Sequence, residues 1–358
     1  MKRNNIIFLI DGRTSFLKDF WVNKYFLENN YNYKFLGIDN LKQVDLDKRS
    51  RSLILNFKYI ISSLNAILQS SKGDLIVVWL DKMGIYSFIW SILLFRPRKL
   101  LILNIMAPNT NSVSSKVRNF IYHTCLKNKN SYATVNNPEL TDIYRKDLCI
   151  DGGNLFELND SIQGVSELKE EYQLGQDYVF FGGSGGRDFN LIVEIAKRLP
   201  TIPFVFVVKK KYFRNIKELS PNVTIFYDTT LEEFNDKLSK SNLVVLPINV
   251  DTPAGILVLI TAGLKSKMVI TSDTPSIRNY ISNNVNGILL ENINIDDWVS
   301  RINENFNNKH QQKRFGEKLQ TEMLNKTSNQ YYMNQLESIL KSILKIKNFK
   351  KNEDTANK

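Results

Sequence analysis

Histidine and cysteine are nearly absent from this chain of 358 residues: His123, His310, Cys125 and Cys149 are the full set. Two cysteines cannot build a disulfide framework, and none of the four has neighbours at metal-ligand spacing. Neither a zinc enzyme nor a histidine-based triad is expected. Asp45-Leu46-Asp47 formally pairs two acids, but in a polar stretch rather than after an apolar strand, so no metal site is expected there either. Long apolar runs are missing too. Ile85–Phe95 has about half of the roughly 20 residues that a membrane span needs. Met1-Lys2-Arg3 leads straight into Ile6–Ile10, too short for a signal core, so a chain without a signal peptide in a reducing cytosol is the simplest expectation.

Acidic residues are scarce in the first half alone. Residues 1–150 hold 22 Lys+Arg against 11 Asp+Glu, a balance of +11, whereas residues 151–358 hold 26 against 25. Such asymmetry suits a half that faces an anionic membrane surface or phosphorylated lipid. The basic residues are dispersed and lack a recognisable motif, so nucleic acid is not an expected partner. A basic chain with nothing bound to this half is the other reading of the same numbers.

What is present is ordinary for a soluble globular protein, with 43% hydrophobic and 23% charged residues and length enough for two domains. In the first half, short runs rich in branched residues alternate with helix-like segments. Ile6–Ile10, Lys34–Ile38, Leu75–Leu80, Leu100–Met106 and Ser131–Val135 read as strands. Phe16–Asn29, Asp45–Leu68 and Ser114–Lys127 read as helices between them, the signature of a parallel sheet covered on both faces. Ile85–Phe95 reads either as a helix buried on that sheet or as an interfacial helix whose basic cuff, Arg96, Arg98 and Lys99, meets anionic lipid.

Residues 150–176 are polar and mixed, as an inter-domain connection is. A second β/α series follows, with strands at Tyr178–Phe181, Phe204–Val208 and Val223–Phe226 and helices at Leu191–Leu199 and Glu232–Leu238. The stretch Asn242–Leu290 organises it: strand Leu243–Pro247, a polar loop, apolar helix Ile256–Leu264 opened by Gly255, strand Met268–Thr271, and the turn Asn286-Gly287. Helices at Asp296–Asn305, Gln312–Leu324 and Tyr331–Ile346 close the chain. Ligands of open α/β sheets bind at the carboxyl ends of strands, and anions suit helix starts, whose first N–H groups lack partners.

Leu246-Pro247, Gly255, Thr261-Ala262, Val269-Ile270 and Asn286-Gly287 make this stretch resemble the donor-binding half of GT-B glycosyltransferases, especially the large retaining family 4. The resemblance implies an α/β protein of two Rossmann-like domains facing a central cleft. Residues 1–160 would be the acceptor-side domain and 161–327 the nucleotide-sugar domain. A helix at 328–346 would cross back to the first domain, before a charged tail at 347–358. That family often carries two glutamates eight positions apart; Pro253 and Thr261 occupy those positions here, and Asp251 is the only nearby acid.

Candidate residues follow. The loop Gly182-Gly183-Ser184-Gly185-Gly186-Arg187 lies between a strand and a helix start, where glycines let backbone amides approach a ligand and Arg187 adds a permanent charge. The resemblance puts a donor diphosphate on Arg187, Gly183, Ser184 and Gly186, with the Ala254-Gly255-Ile256 amides facing it. It puts a nucleobase near Tyr227, and donor hydroxyls near Thr261, Asn249 and Asp251. Arg187 and Asp251 are the catalytic candidates. Gly12, Arg13 and Asp81, at strand ends of the first half, are acceptor-side candidates. The resemblance implies retaining, metal-independent transfer of a sugar from a nucleotide-sugar to a glycan or polyprenyl-linked acceptor in surface polysaccharide assembly. Neither a cofactor nor a general base is assigned, and a cytoplasmic protein on the inner face of the membrane is expected. The alternative is a non-catalytic GT-B partner subunit of another glycosyltransferase.

Overall fold

Every residue of strand β1 (Ile6–Ile10) is buried, as a continuous apolar run must be when both faces of a parallel sheet are covered. The computed structural model describes residues 5–11, 20–29, 31–37, 48–107, 112–150, 152–161, 169–173, 175–213, 218–250 and 253–345. The chain divides into two units, one of residues 1–159 and 332–358, the other of residues 160–331.

In the first unit β1 is joined by β2 (Tyr33–Gly37), β3 (Leu75–Val78), β4 (Lys99–Ile102), β5 (Ser131–Val135) and β6 (Leu155–Glu157). They form one parallel sheet in the order β2-β1-β3-β4-β5-β6. Side chains alternate across it, as the two-residue strand period requires. Ile7, Leu9, Ile76 and Val78 meet α2 (Lys48–Gln69), α3 (Asp81–Leu93), α4 (Val113–Lys127) and α5 (Pro138–Asp147) on one face. Ile6, Phe8, Leu75 and Val77 meet α1 (Trp21–Glu28) and the last helix, Asn329–Leu344, on the other.

Three segments differ from the sequence reading. Asn137 caps α5 through a bond from the Leu140 N–H, and Pro138 opens that helix, so residues 138–147 are not an unassigned end of the domain. Residues 155–157, read as part of a connection, are strand β6, whose Leu155 is buried beside Ala133. The segment read at Ile85–Phe95 begins four residues earlier as α3, which buries Met83, Ser87 and Phe88 and leaves Ile89, Ile92 and Leu93 exposed. No helix among the described residues is long and apolar enough to cross a membrane.

The second unit holds β7 (Val179–Gly183), α6 (Phe189–Arg198), β8 (Phe204–Val208), β9 (Val223–Tyr227), α7 (Leu231–Ser239), β10 (Leu243–Leu246), α8 (Ile256–Leu264) and β11 (Met268–Ser272). A short helix α9 (Pro275–Arg278), β12 (Ile288–Leu290), α10 (Ile295–Phe306) and α11 (Lys309–Thr327) complete it, so that the last helix of the chain is α12. The parallel sheet runs β12-β11-β10-β7-β8-β9. α6 and α10 cover one face. α7, α8, α9 and the Leu319–Met323 turn of α11 cover the other. Seven of the nine residues of α8 are buried, the state expected of a helix that is apolar all round.

Candidate functional site

The strand order of the second unit reverses between β7 and β10: β8 and β9 lie outward of β7, and β11 and β12 outward of β10. Such a switch point opens a crevice at the carboxyl ends of the two strands, because their connections leave in opposite directions. Here the crevice is bordered by the loop after β7 and the loop after β10, which are zipped together at the backbone. Arg187 and Ile248 form an antiparallel bridge. The Asp188 N–H donates to the Pro247 carbonyl at 2.9 Å, and the Asn249 N–H to the Gly186 carbonyl at 3.1 Å. The second loop is clamped from the side as well. Ser272 Oγ accepts from the Ile248 N–H at 2.6 Å, and Asn292 Nδ2 donates to the Ile248 carbonyl at 2.6 Å.

Arg187 sits at this junction, only 5% exposed. Its Nε donates to the Gly182 carbonyl at 3.0 Å and its Nη1 to the Gly185 carbonyl at 3.4 Å. Among the described residues no carboxylate pairs with it. Burial pushes the guanidinium down to about 10, which leaves it charged at neutral pH with no counter-ion among the described residues. Glycines clear the space around it. A β-carbon on Gly183 would lie 2.6 Å from Nη2, and one on Gly255 3.2 Å from Nη1; both glycines have positive φ, 113° and 85°.

Gly255 is also the N-cap of α8, with no side chain to cap it. The Leu259 N–H bond to the Gly255 carbonyl (2.9 Å) is the first of the helix, so the amides of Ile256, Leu257 and Val258 precede the helical ladder. A buried cation, a row of uncapped amides and the positive end of a helix dipole therefore converge on one crevice, an arrangement that binds anions. The neighbouring helix start is not available in the same way. Asp188 caps α6 by accepting from the Leu191 N–H at 3.0 Å.

Beside the glycine loop is a cavity of about 250 Å³ at the ends of β7 and β8, walled by Gly183, Ser184, Val208, Lys209, Asp228 and Phe234. Lys209 and Asp228 approach within 4.0 Å at its mouth, both more than half exposed. Sequence reasoning missed Lys209, while Asp228 directly follows Tyr227, the residue expected near a nucleobase. The signal for Lys209 was position alone, one residue beyond the end of β8.

The other expected residues are distributed less simply. Tyr227 is 43% exposed and its ring packs edge-on against Phe213 at 6.4 Å; the next residues, Asp228 to Leu231, form the cavity wall instead. Ile256 has a core side chain, so only its amide faces the crevice. Ala254 is half-buried beside Gly186. Thr261 is nearly buried in α8, and its hydroxyl donates to the Leu257 carbonyl at 2.8 Å, a bond back into its own helix. Asp251, Gly12 and Arg13 lie outside the described residues. In the first unit Asp81 opens α3 and accepts from the Tyr122 hydroxyl at 2.8 Å and the Lys82 N–H at 2.7 Å. Burial, with the Asp81 charge added, pushes the Tyr122 phenol up, so this proton stays with tyrosine.

Residues 165–321 match the family described as Glycosyl transferases group 1. No curated protein sequence matches the chain. Among solved structures, TarM is similar with a TM-score of 0.63 at 18% identity, over 79% of this chain and 58% of TarM. The chain thus spans a little over half the length of that neighbour. S. aureus TarM has been solved with UDP. Anabaena HepE in complex with UDP-glucose is similar over 95% of this chain and 100% of its own, with a TM-score of 0.70 at 12% identity. A glycosyltransferase from Rickettsia africae covers 96% and 100%, with a TM-score of 0.63 at 13% identity. The chain has the GT-B fold, and Arg187 and the start of α8 lie within the residues that match the glycosyl transferases group 1 model.

Proposed function

We propose that this chain is a glycosyltransferase that moves a sugar from a nucleotide-sugar to a hydroxyl of a glycan or polyprenyl-linked acceptor. The observation that carries the reading is Arg187, a buried cation with no carboxylate partner among the described residues, beside the uncapped start of α8 at the switch-point crevice. A nucleoside diphosphate brings negative charge to that cation. Its base fits the adjoining cavity walled by Val208 and Phe234, and its phosphates fit the glycine loop. As the glycosidic bond to the phosphate breaks, negative charge grows on the leaving diphosphate. Arg187 and the α8 amides are already oriented towards it, so no reorganisation is needed in the transition state.

Retention of configuration, independence of a metal ion and a role in surface polysaccharide assembly, at the inner face of the cell membrane, complete the reading. They rest on the motif resemblance and on the basic first half of the chain. The hydroxyl of Thr261 is bonded within α8, so the contact with donor hydroxyls falls to the loop after β10.

The test is a thermal-shift panel of UDP, GDP, CDP and ADP on the wild type and on Arg187→Ala. Ligand at roughly 100 times its Kd stabilises the folded state by about 2.7 kcal/mol. One nucleotide is expected to raise the wild-type melting temperature and to leave that of Arg187→Ala unmoved. A flat panel with folded wild type, or equal shifts in both proteins, overturns the donor site.

A further inference from the structure

Helices α2, α3 and α4 form a continuous layer over one face of the first sheet. Trp90 Nε1 on α3 donates to the Ile60 carbonyl on α2 at 3.1 Å, and Tyr122 on α4 bonds Asp81 on α3. The outward side of this layer is apolar. Leu53, Phe57 and Ile61 recur every four residues on α2, so they share one exposed line, with Phe57 63% exposed. Ile92 and Leu93 on α3, and Val117 and Phe120 on α4, are exposed as well, Phe120 at 69%.

The same layer is almost without negative charge. Residues 48–138 contain 13 Lys+Arg and two acids, Asp74 and Asp81. Both acids are engaged in holding the fold: Asp74 accepts from the Asn5 and Ser71 N–H groups, Asp81 from Tyr122 and Lys82. Among the described residues Arg96 and Lys116 form no ion pair.

Phe95 is the sharpest feature. It follows the last residues of α3 with φ 51°, in the left-handed region that a bulky side chain avoids, and it is 92% exposed. The Arg96 N–H bonds the Ser91 carbonyl at 2.9 Å, the closure of a helix end whose left-handed position is usually glycine. A phenylalanine there strains the backbone and packs against nothing in the fold.

We propose that the outer face of α2, α3 and α4 docks on an anionic lipid bilayer, with Phe95 and its apolar neighbours in the interface and the flanking basic residues on lipid phosphates. Apolar area and attraction to anionic lipid act together at such surfaces, and the basic residues supply the complementary charge. The inference takes from the proposed function only its setting, a membrane-borne acceptor. Vesicle binding without nucleotide succeeds or fails independently of the Arg187-dependent nucleotide shift.

The experiment is flotation of the full chain with vesicles of phosphatidylglycerol and phosphatidylcholine, against vesicles of phosphatidylcholine alone, at low and physiological salt. Binding to the anionic vesicles only is expected. Each basic residue at such a surface is worth roughly fivefold in affinity, so Arg96→Ala with Lys116→Ala should weaken binding by about 25-fold. Phe95→Gly should weaken it while leaving the melting temperature equal or higher, because the substitution removes backbone strain. Absence of the folded wild type from anionic vesicles, or undiminished binding by Phe95→Gly, overturns the proposal. A dimer in ultracentrifugation abolished by Phe95→Gly would assign the face to a second copy, and capture of a protein partner in place of vesicles would assign it to that partner; either also overturns it.

Discussion

Arg187 is a charged residue that the fold keeps almost wholly out of water. Its burial lowers the guanidinium to about 10. The unfolded chain therefore holds the proton more tightly than the folded one. The resulting destabilisation is fully present at neutral pH and is relieved only as pH rises above about 10. Replacing a buried, unpaired cation by an apolar side chain of similar length is often neutral or stabilising. Arg187→Met is accordingly expected to melt within about 1 kcal/mol of the wild type, or above it, in the absence of nucleotide, and to lose the nucleotide-induced shift. Calorimetry with and without the nucleotide found in the panel separates the two effects. A variant that is strongly destabilised without ligand would make Arg187 a structural residue. Its position was legible in sequence, since Gly182–Arg187 stands between a strand and a helix. Its lack of a carboxylate partner among the described residues was not, because that depends on which distant loops fold around it.

At the scale of elements, the segment at 169–173 is tied beneath α8 and α11 through Glu170. That carboxylate pairs with Lys265 and accepts from Ser239, while Gln320 Nε2 and Ser266 Oγ donate to the Glu170 carbonyl at 2.6 and 3.1 Å. Burial alone pushes the Glu170 carboxyl up, but the bonds from Lys265 and Ser239 and the nearby lysine charges outweigh it and hold it below the usual range. A carboxyl depressed in the folded state adds stability above its unfolded pKa and loses it as pH falls through the folded value. Glu170→Gln is expected to be less stable than the wild type at neutral pH, and the difference should shrink in acid. Urea midpoints at several pH values check this; parallel curves for the two proteins would sink it.

The elements themselves were read unevenly. Ile6–Ile10, Ser131–Val135, Phe204–Val208 and Ile256–Leu264 have the bounds that their apolar runs suggest. These are central strands and a buried helix, where burial on all sides makes local hydrophobicity decisive. Helix α5 went unread although Asn137-Pro138-Glu139 is a helix start, and β6 was hidden because three residues carry too little pattern to outweigh a polar context. Lys209 in the cavity wall had no signal beyond its place at a strand end, since an exposed lysine there is ordinary.

At the scale of the whole molecule, the first unit is completed by the end of the chain. Tyr332, Met333, Leu336, Ile339, Leu340 and Ile343 of α12 are buried in the core that holds β1 and α1. Each such side chain contributes about 1.5–3 kcal/mol when fully buried, so their sum is comparable with the roughly 5–15 kcal/mol by which a domain is stable. A chain ending at Thr327 is expected to leave the first unit unfolded, while residues 160–331 expressed alone fold. Circular dichroism and limited proteolysis of the two fragments test this; a cooperatively melting first unit without α12 would refute it.

The sequence by itself determined the β/α alternation, the parallel sheets and the glycine-flanked loops at strand ends. Each of these follows from local periodicity and from the backbone freedom of single residues. Only the tertiary structure decided which loops meet. The order β10-β7 places Arg187 beside Gly255, far along the chain, and α8 turns the Thr261 hydroxyl back on itself. Desolvation, missing counter-ions and exposed apolar faces are properties of a residue's neighbours in space. A one-dimensional pattern carries them only where those neighbours are also close in sequence.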